Sequence, residues 1–167
     1  MLRTSVSVQP KYLHSGLKDE VHRLVKEKYI GISRPDTGYI TSLEIKSITC
    51  TGVHKGIPAF NVQFSYYSET PDIGKLITFK VTGVFAQGIF MEKPGMKCMV
   101  PSNTLPEWKF SQDKKNYSNT CVGHGTSGVE HGTSGVGHVI VIGSEVEVQI
   151  TGMRYSANIF NCIGKMV

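Results

Sequence analysis

Cysteine is scarce in this chain: four residues in 167, at Cys50, Cys98, Cys121 and Cys162, with no CxxC pair. So few, so widely spaced, exclude a disulfide scaffold, and each thiol is expected to be a small buried hydrophobe. Long apolar runs are missing too. No segment approaches the roughly 18 consecutive apolar residues that a spanning helix needs. Met1 to Val8 carries Arg3 and no apolar h-region, so no secretory leader is expected and the protein should work inside the cell. Catalytic signatures are lacking as well. There is no Walker loop, no HExxH, no DFG, no nucleophile elbow and no carboxylate pair flanked by a general acid. The chain reads as a non-enzyme with no cofactor of its own.

What is present belongs to a globular rather than a disordered chain: 40% apolar and 19% charged residues. The net charge of +5 is spread out. Residues 1–76 hold ten Lys/Arg against seven Asp/Glu, residues 77–120 six against three, and residues 121–167 two against three. Such an excess favours a seat near phosphate without establishing contact.

The pattern along the chain changes once. A short strand over Thr4–Val8 ends before Pro10, and a helix is expected from Leu17 to about Tyr29. There Leu17, Val21, Leu24, Val25 and Tyr29 make one apolar stripe. Ser15 or Gly16 starts it, Asp19 and Glu20 suit its first turn, Lys26 and Lys28 its last, and Gly31 with Pro35 stops it. From Gly38 the period becomes two. Tyr39–Ile48 and Ala59–Tyr66 read as strands, separated by a turn containing Gly52 and Gly56. Strand, helix, strand, strand make a small α+β domain over residues 1–75.

Residues 76–167 hold no helix pattern. Strands are expected over Ile77–Thr82, Gly88–Glu92, Lys97–Val100, Val146–Thr151 and Asn158–Ile163. Five short strands, with glycines where a tightly coiled barrel must bend, suit an OB-type β-barrel. Residues 121–138 interrupt them. The run 123–138, GHGTSGVEHGTSGVGH, repeats His-Gly-Thr-Ser-Gly-Val at a seven-residue period and reads as an inserted loop. Cys121, His124, His131 and His138 are the nearest approach to a metal cluster. Their six-residue gaps between histidines would cost considerable ordering entropy, so no metal site is expected.

These residues, in this order, resemble the stalk subunit family of multisubunit RNA polymerases: the seventh subunit of RNA polymerase II, its counterpart in the archaeal enzyme, and relatives in large DNA viruses. The similarity runs through Pro10-Lys11-Tyr12 and the helix, Gly38-Tyr39-Ile40, and the junction from Pro71 to Gly74-Lys75. It continues in the barrel with Val81 to Gly88-Ile89-Phe90, Pro94-Gly95-Met96, Leu105-Pro106-Glu107 with Trp108 and Phe110, and Gly143-Ser144-Glu145-Val146. Gly152-Met153-Arg154, Ile159-Phe160 and Gly164 complete it. The Gly/His repeat departs from the common pattern and points to a diverged lineage, such as a viral one.

The resemblance implies an N-terminal tip domain that docks on the polymerase core, a smaller companion stalk subunit, and an OB barrel that meets nascent single-stranded RNA. Location would follow the polymerase: nucleus, or cytoplasm and virion if the lineage is viral. The loops at Gly31–Tyr39 and Cys50–Pro58, with Gly38, Tyr39, Gly52 and Gly56, would form the docking tip. OB barrels stack bases on aromatics while basic side chains follow the phosphates. Phe90 is the candidate platform, a core aromatic being its other reading. Lys80, Lys93, Lys97 and Arg154 are candidate phosphate contacts, solvated side chains otherwise. Gln87 stands where many such barrels place a second aromatic, so RNA affinity should be modest. A free-standing OB-fold RNA-binding protein is the alternative; it would share the barrel but have no need of the first domain.

Overall fold

The structure is a computed structural model that describes residues 1–105, 107–119 and 138–167. The chain divides at Thr70/Pro71 into two units, Met1–Thr70 and Pro71–Val167.

In the first unit the strands β1 (Leu2–Ser7), β2 (Ser33–Arg34), β3 (Gly38–His54) and β4 (Ile57–Glu69) form an antiparallel sheet in the order β1-β4-β3-β2. The helix α1 (Leu17–Tyr29) starts from Gly16, which supplies no side-chain cap. Its stripe does what the spacing demands: Val21, Val25 and Tyr29 are buried against Val6, Val8, Ile40, Phe60, Val62 and Phe64, with Leu17 and Leu24 at the margin. Lys28 Nζ donates to the buried hydroxyl of Thr4 at 2.9 Å, tying the helix to β1.

Strand β3 carries one extra residue at each of three places, Thr41, Lys46 and Thr51, where the register with β4 shifts. An extra residue bends and twists a strand, and it reverses the phase of the side chains beyond it. Ile40, Leu43, Ile45 and Ile48 therefore all turn toward the core although their spacings are 3, 2 and 3. The turn expected around Gly52 and Gly56 is smaller than that. Gly52 lies within β3 beside the extra Thr51, and only Lys55 and Gly56 form the turn, with φ of 51° and 78°. Two positive φ values are the mark of a type I′ hairpin, the tight connection whose twist matches its strands. Residues 49–57 are exposed throughout, so the hairpin extends past the core as an arm. Cys50 lies on that arm and is exposed, against the expectation of burial.

In the second unit β5 (Leu76–Phe85), β6 (Gly88–Lys93) and β7 (Met96–Pro101) are followed by three short strands, β8 (Trp108–Ser111), β9 (Asn116–Asn119) and β10 (His138–Ile140), and then by β11 (Glu145–Ser156) and β12 (Ile159–Met166). The barrel closes in the order β5-β6-β7-β12-β11. All its pairs are antiparallel except β7 with β12. A closed five-stranded barrel of this kind is consistent with an OB-type barrel. Its core runs through Phe79, Val81, Ile89, Met91, Met96, Val100, Val148 and Ile150.

The sheet β8-β9-β10 was not legible as strands, because segments of three or four mixed residues give no alternation to read. It completes the core, adding buried Tyr117 and Ile140 and packing Trp108 and Phe110 at the edge. His138 opens β10 opposite Asn119; the rest of the inserted segment 121–138, with Cys121, His124 and His131, lies outside the described residues.

Two outcomes test this fold. Gly38 has φ of +74°, and a Cβ there would lie 2.6 Å from both the Glu69 carbonyl oxygen and the Thr70 methyl. Gly38→Ala should lower unfolding free energy by about 1–3 kcal/mol in denaturant titration. Second, Cys98 and Cys162 face each other in the barrel core, where burial raises their thiols from 9.0 to about 12 and about 11. In a Cys121→Ser background a thiol reagent at pH 8 should label Cys50 alone until the protein unfolds. Because the folded values are the raised ones, the stability these two protonated thiols give is complete below pH 9 and falls away as pH climbs toward 11–12.

Candidate nucleic-acid interface

Side chains alternate between the inside and the outside of a barrel, so the register fixes which ones share an outer face. Lys80 on β5 lies opposite Glu145 on β11 and Glu92 on β6; Glu92 lies opposite Lys97 on β7; Lys97 lies opposite Asn161 on β12. Asn161 in turn lies opposite Arg154, back on β11 and nine residues beyond Glu145. All six are exposed. They make one outward row that winds round the barrel and gains the stagger that closure requires.

Three of the candidate phosphate contacts, Lys80, Lys97 and Arg154, thus share a row, but two carboxylates are interleaved among them. Lys97 Nζ stands 3.3 Å from Glu92 Oε1, with both side chains about half exposed. An exposed pair like this contributes little to stability, yet it lowers the local positive potential that would attract a phosphate. Lys93 ends β6 opposite Met96, outside the row.

The neighbouring outward row is apolar: Gly83, Phe90, Met99, Ile163 and Gly152 follow one another across β5, β6, β7, β12 and β11. Phe90 is 37% exposed and Ile163 51%. Of its two readings, then, the core aromatic is the one that fails: Phe90 lies on the outer face of the second barrel strand. Strands two and three of OB-type barrels carry the oligonucleotide face.

Sequence reasoning missed Phe85. It is 50% exposed, and its ring meets that of Phe90 edge-on, with centroids 5.5 Å apart and planes at 85°. The cause is an extra residue at Thr82, where the β5–β6 register shifts. Beyond it Val84 takes the inward place and Phe85 the outward one, its ring lying over Gly83, where a Cβ would sit 2.6 Å from the ring edge. The cluster Val84-Phe85 just before a turn was the only sequence signal available.

The four candidate docking residues occupy two places on the first unit. Gly38 and Tyr39 sit at the base of β3, paired with Arg34 and Ser33 of β2; Gly52 and Gly56 belong to the exposed arm. Among the described residues no three His, Cys, Asp or Glu side chains are grouped to hold a metal ion, and no helix is long and apolar enough to cross a membrane. No protein-family model matches this chain, and no curated protein matches it either.

The position of Phe90 makes a mutational test clean. Phe79→Ala, in the core, should cost about 3–5 kcal/mol. Phe90→Ala should cost well under half of that in the same denaturation experiment, leaving a folded variant for binding work.

Proposed function

We propose that this chain is a non-catalytic stalk subunit of a multisubunit DNA-dependent RNA polymerase. Its first unit docks on the core enzyme beside a smaller companion subunit, and its barrel meets nascent single-stranded RNA. The observation that carries this reading is the succession, in one chain, of a helix-on-sheet unit and a closed five-stranded barrel, along a sequence that resembles the stalk family through both. The exposed Phe85–Phe90 pair supports RNA contact by stacking, and the exposed arm over residues 49–57 supports docking, since it adds nothing to its own core.

The same aromatic pair would serve a free-standing OB-fold RNA-binding protein equally well. That alternative needs the barrel but not the helix-on-sheet unit that precedes it, which is why the stalk reading is preferred.

Affinity purification of the tagged chain from its native cells, at moderate salt, separates the two. The stalk subunit brings down the large polymerase subunits and one smaller protein in stoichiometric amounts, in a complex that transcribes. Recovery of RNA with no polymerase subunits means the alternative is right. Replacing the arm tip, Gly52 to Gly56, with a two-residue turn should abolish the co-purification while leaving the thermal transition of the barrel in place.

A further inference from the structure

Of the two outer barrel rows, the charged one interleaves carboxylates with its cations, and the hollow between the rows is small, about 210 Å³, with Glu92 beside Lys97 on its wall below Phe90 and Met99. A better-formed site lies beside them. Between the β5–β6 turn and the β8–β9 hairpin is a groove of about 370 Å³, lined by Phe85, Gln87, Phe110, Gln112, Lys115 and Ile142 among others. Its volume is that of a small-molecule site. Two aromatic rings, two side-chain amides and one ammonium group are the chemistry a nucleotide needs: stacking faces for the base, paired donors and acceptors for its edge, and a cation for its phosphate.

The groove is also preorganised. The Tyr117 hydroxyl, buried on β9, donates to the Phe85 carbonyl oxygen at 2.8 Å, with the Ala86 carbonyl at 3.2 Å. That bond holds the β5–β6 turn against the hairpin. The Phe110 ring packs on the Tyr117 ring, centroids 5.4 Å apart, so one tyrosine fixes both aromatic residues of the groove. On the other side of the turn the Ser102 N–H donates to the Gln87 carbonyl at 2.9 Å. Lys115 is the charged side chain on the groove wall, in a hairpin turn that also holds Asp113 and Lys114.

We infer that this groove accepts one unpaired nucleobase of a single-stranded RNA, with Phe85 and Phe110 as its apolar contacts, Gln87 and Gln112 on the base edge and Lys115 on the adjoining phosphate. The strand then reaches the apolar outer row through the Phe85–Phe90 contact, and Lys80 and Lys97 stay largely outside its path. This inference deepens the proposed RNA contact and depends on it, but it does not depend on polymerase docking.

The test uses the full chain and a fluorescein-labelled single-stranded RNA of about ten nucleotides, within the site size of one OB fold, against the same sequence as a duplex. Phe85→Ala should weaken single-strand binding by roughly 5- to 100-fold, the range for loss of a stacked base. Gln112→Ala and Lys115→Ala, at exposed positions, should weaken it by smaller factors, and Lys115→Ala should also flatten its dependence on salt. Lys80→Ala should leave it within twofold, and the duplex should bind weakly throughout. Thermal melts of each variant confirm that binding, not folding, has changed. If Phe90→Ala or Lys80→Ala abolishes binding while the three groove variants bind as the parent does, RNA lies on the open barrel face and the groove is not its site. If the parent chain binds no single-stranded RNA, the inference is overturned outright. In either case polymerase co-purification decides the docking reading separately.

Discussion

A barrel that closes on itself removes the free edges of a sheet, but it does so only if the strands are staggered and bent to fit. In this chain the fit depends on extra residues at Thr82 in β5 and Thr151 in β11, where the register against the neighbouring strand shifts. Each reverses the phase of the side chains that follow. Thr82 is the reason that Val84 faces in and Phe85 faces out. Without that reversal the aromatic would have its place in the core, and the outer surface beside the β5–β6 turn would have no ring to offer.

The surface chemistry follows from the same register. One outward row alternates lysine and glutamate, the next is apolar, and the groove beyond them is aromatic with amides and a lysine. The proposed RNA contact would rely more on stacking than on accumulated charge, in keeping with a net charge of only +5 over the whole chain. The first unit solves a different problem. Two extra residues in β3, Thr41 and Lys46, keep four irregularly spaced apolar side chains on one face, and the strand then continues past a third, Thr51, into an exposed hairpin.

Much of this is legible in the sequence. The helix was readable, from Leu17 to about Tyr29, because an apolar stripe, charge-matched ends and a glycine stop all agreed. The five barrel strands were readable because each buries alternate residues. What could not be read were the features that break the period. Thr41, Lys46, Thr51 and Thr82 look like ordinary polar strand positions, and only pairing shows that they are supernumerary. The pairing of Lys80 and Lys97 with Glu92 and Glu145 is likewise a cross-strand fact, invisible in a linear charge count. Phe90 was identified, but not the side it faces; Phe85 was passed over because the extra residue at Thr82 reverses the phase of β5, and Gln112 and Lys115 because the short strands around them carry no alternation. Cys50 was misjudged since burial of cysteine is a tendency of residue type, and an arm with no core overrides it.

In the proposed function the barrel of this chain meets RNA emerging from a polymerase. The most direct measurement is photo-crosslinking in a stalled elongation complex purified through the tagged chain, with a photoreactive uridine placed at successive distances from the RNA 3′ end. The account predicts crosslinks to this chain once the RNA has left the enzyme, mapping to peptides that contain residues 85–90 and 110–115. Crosslinks confined to other subunits at every RNA length, or falling only on residues 1–70, would contradict it.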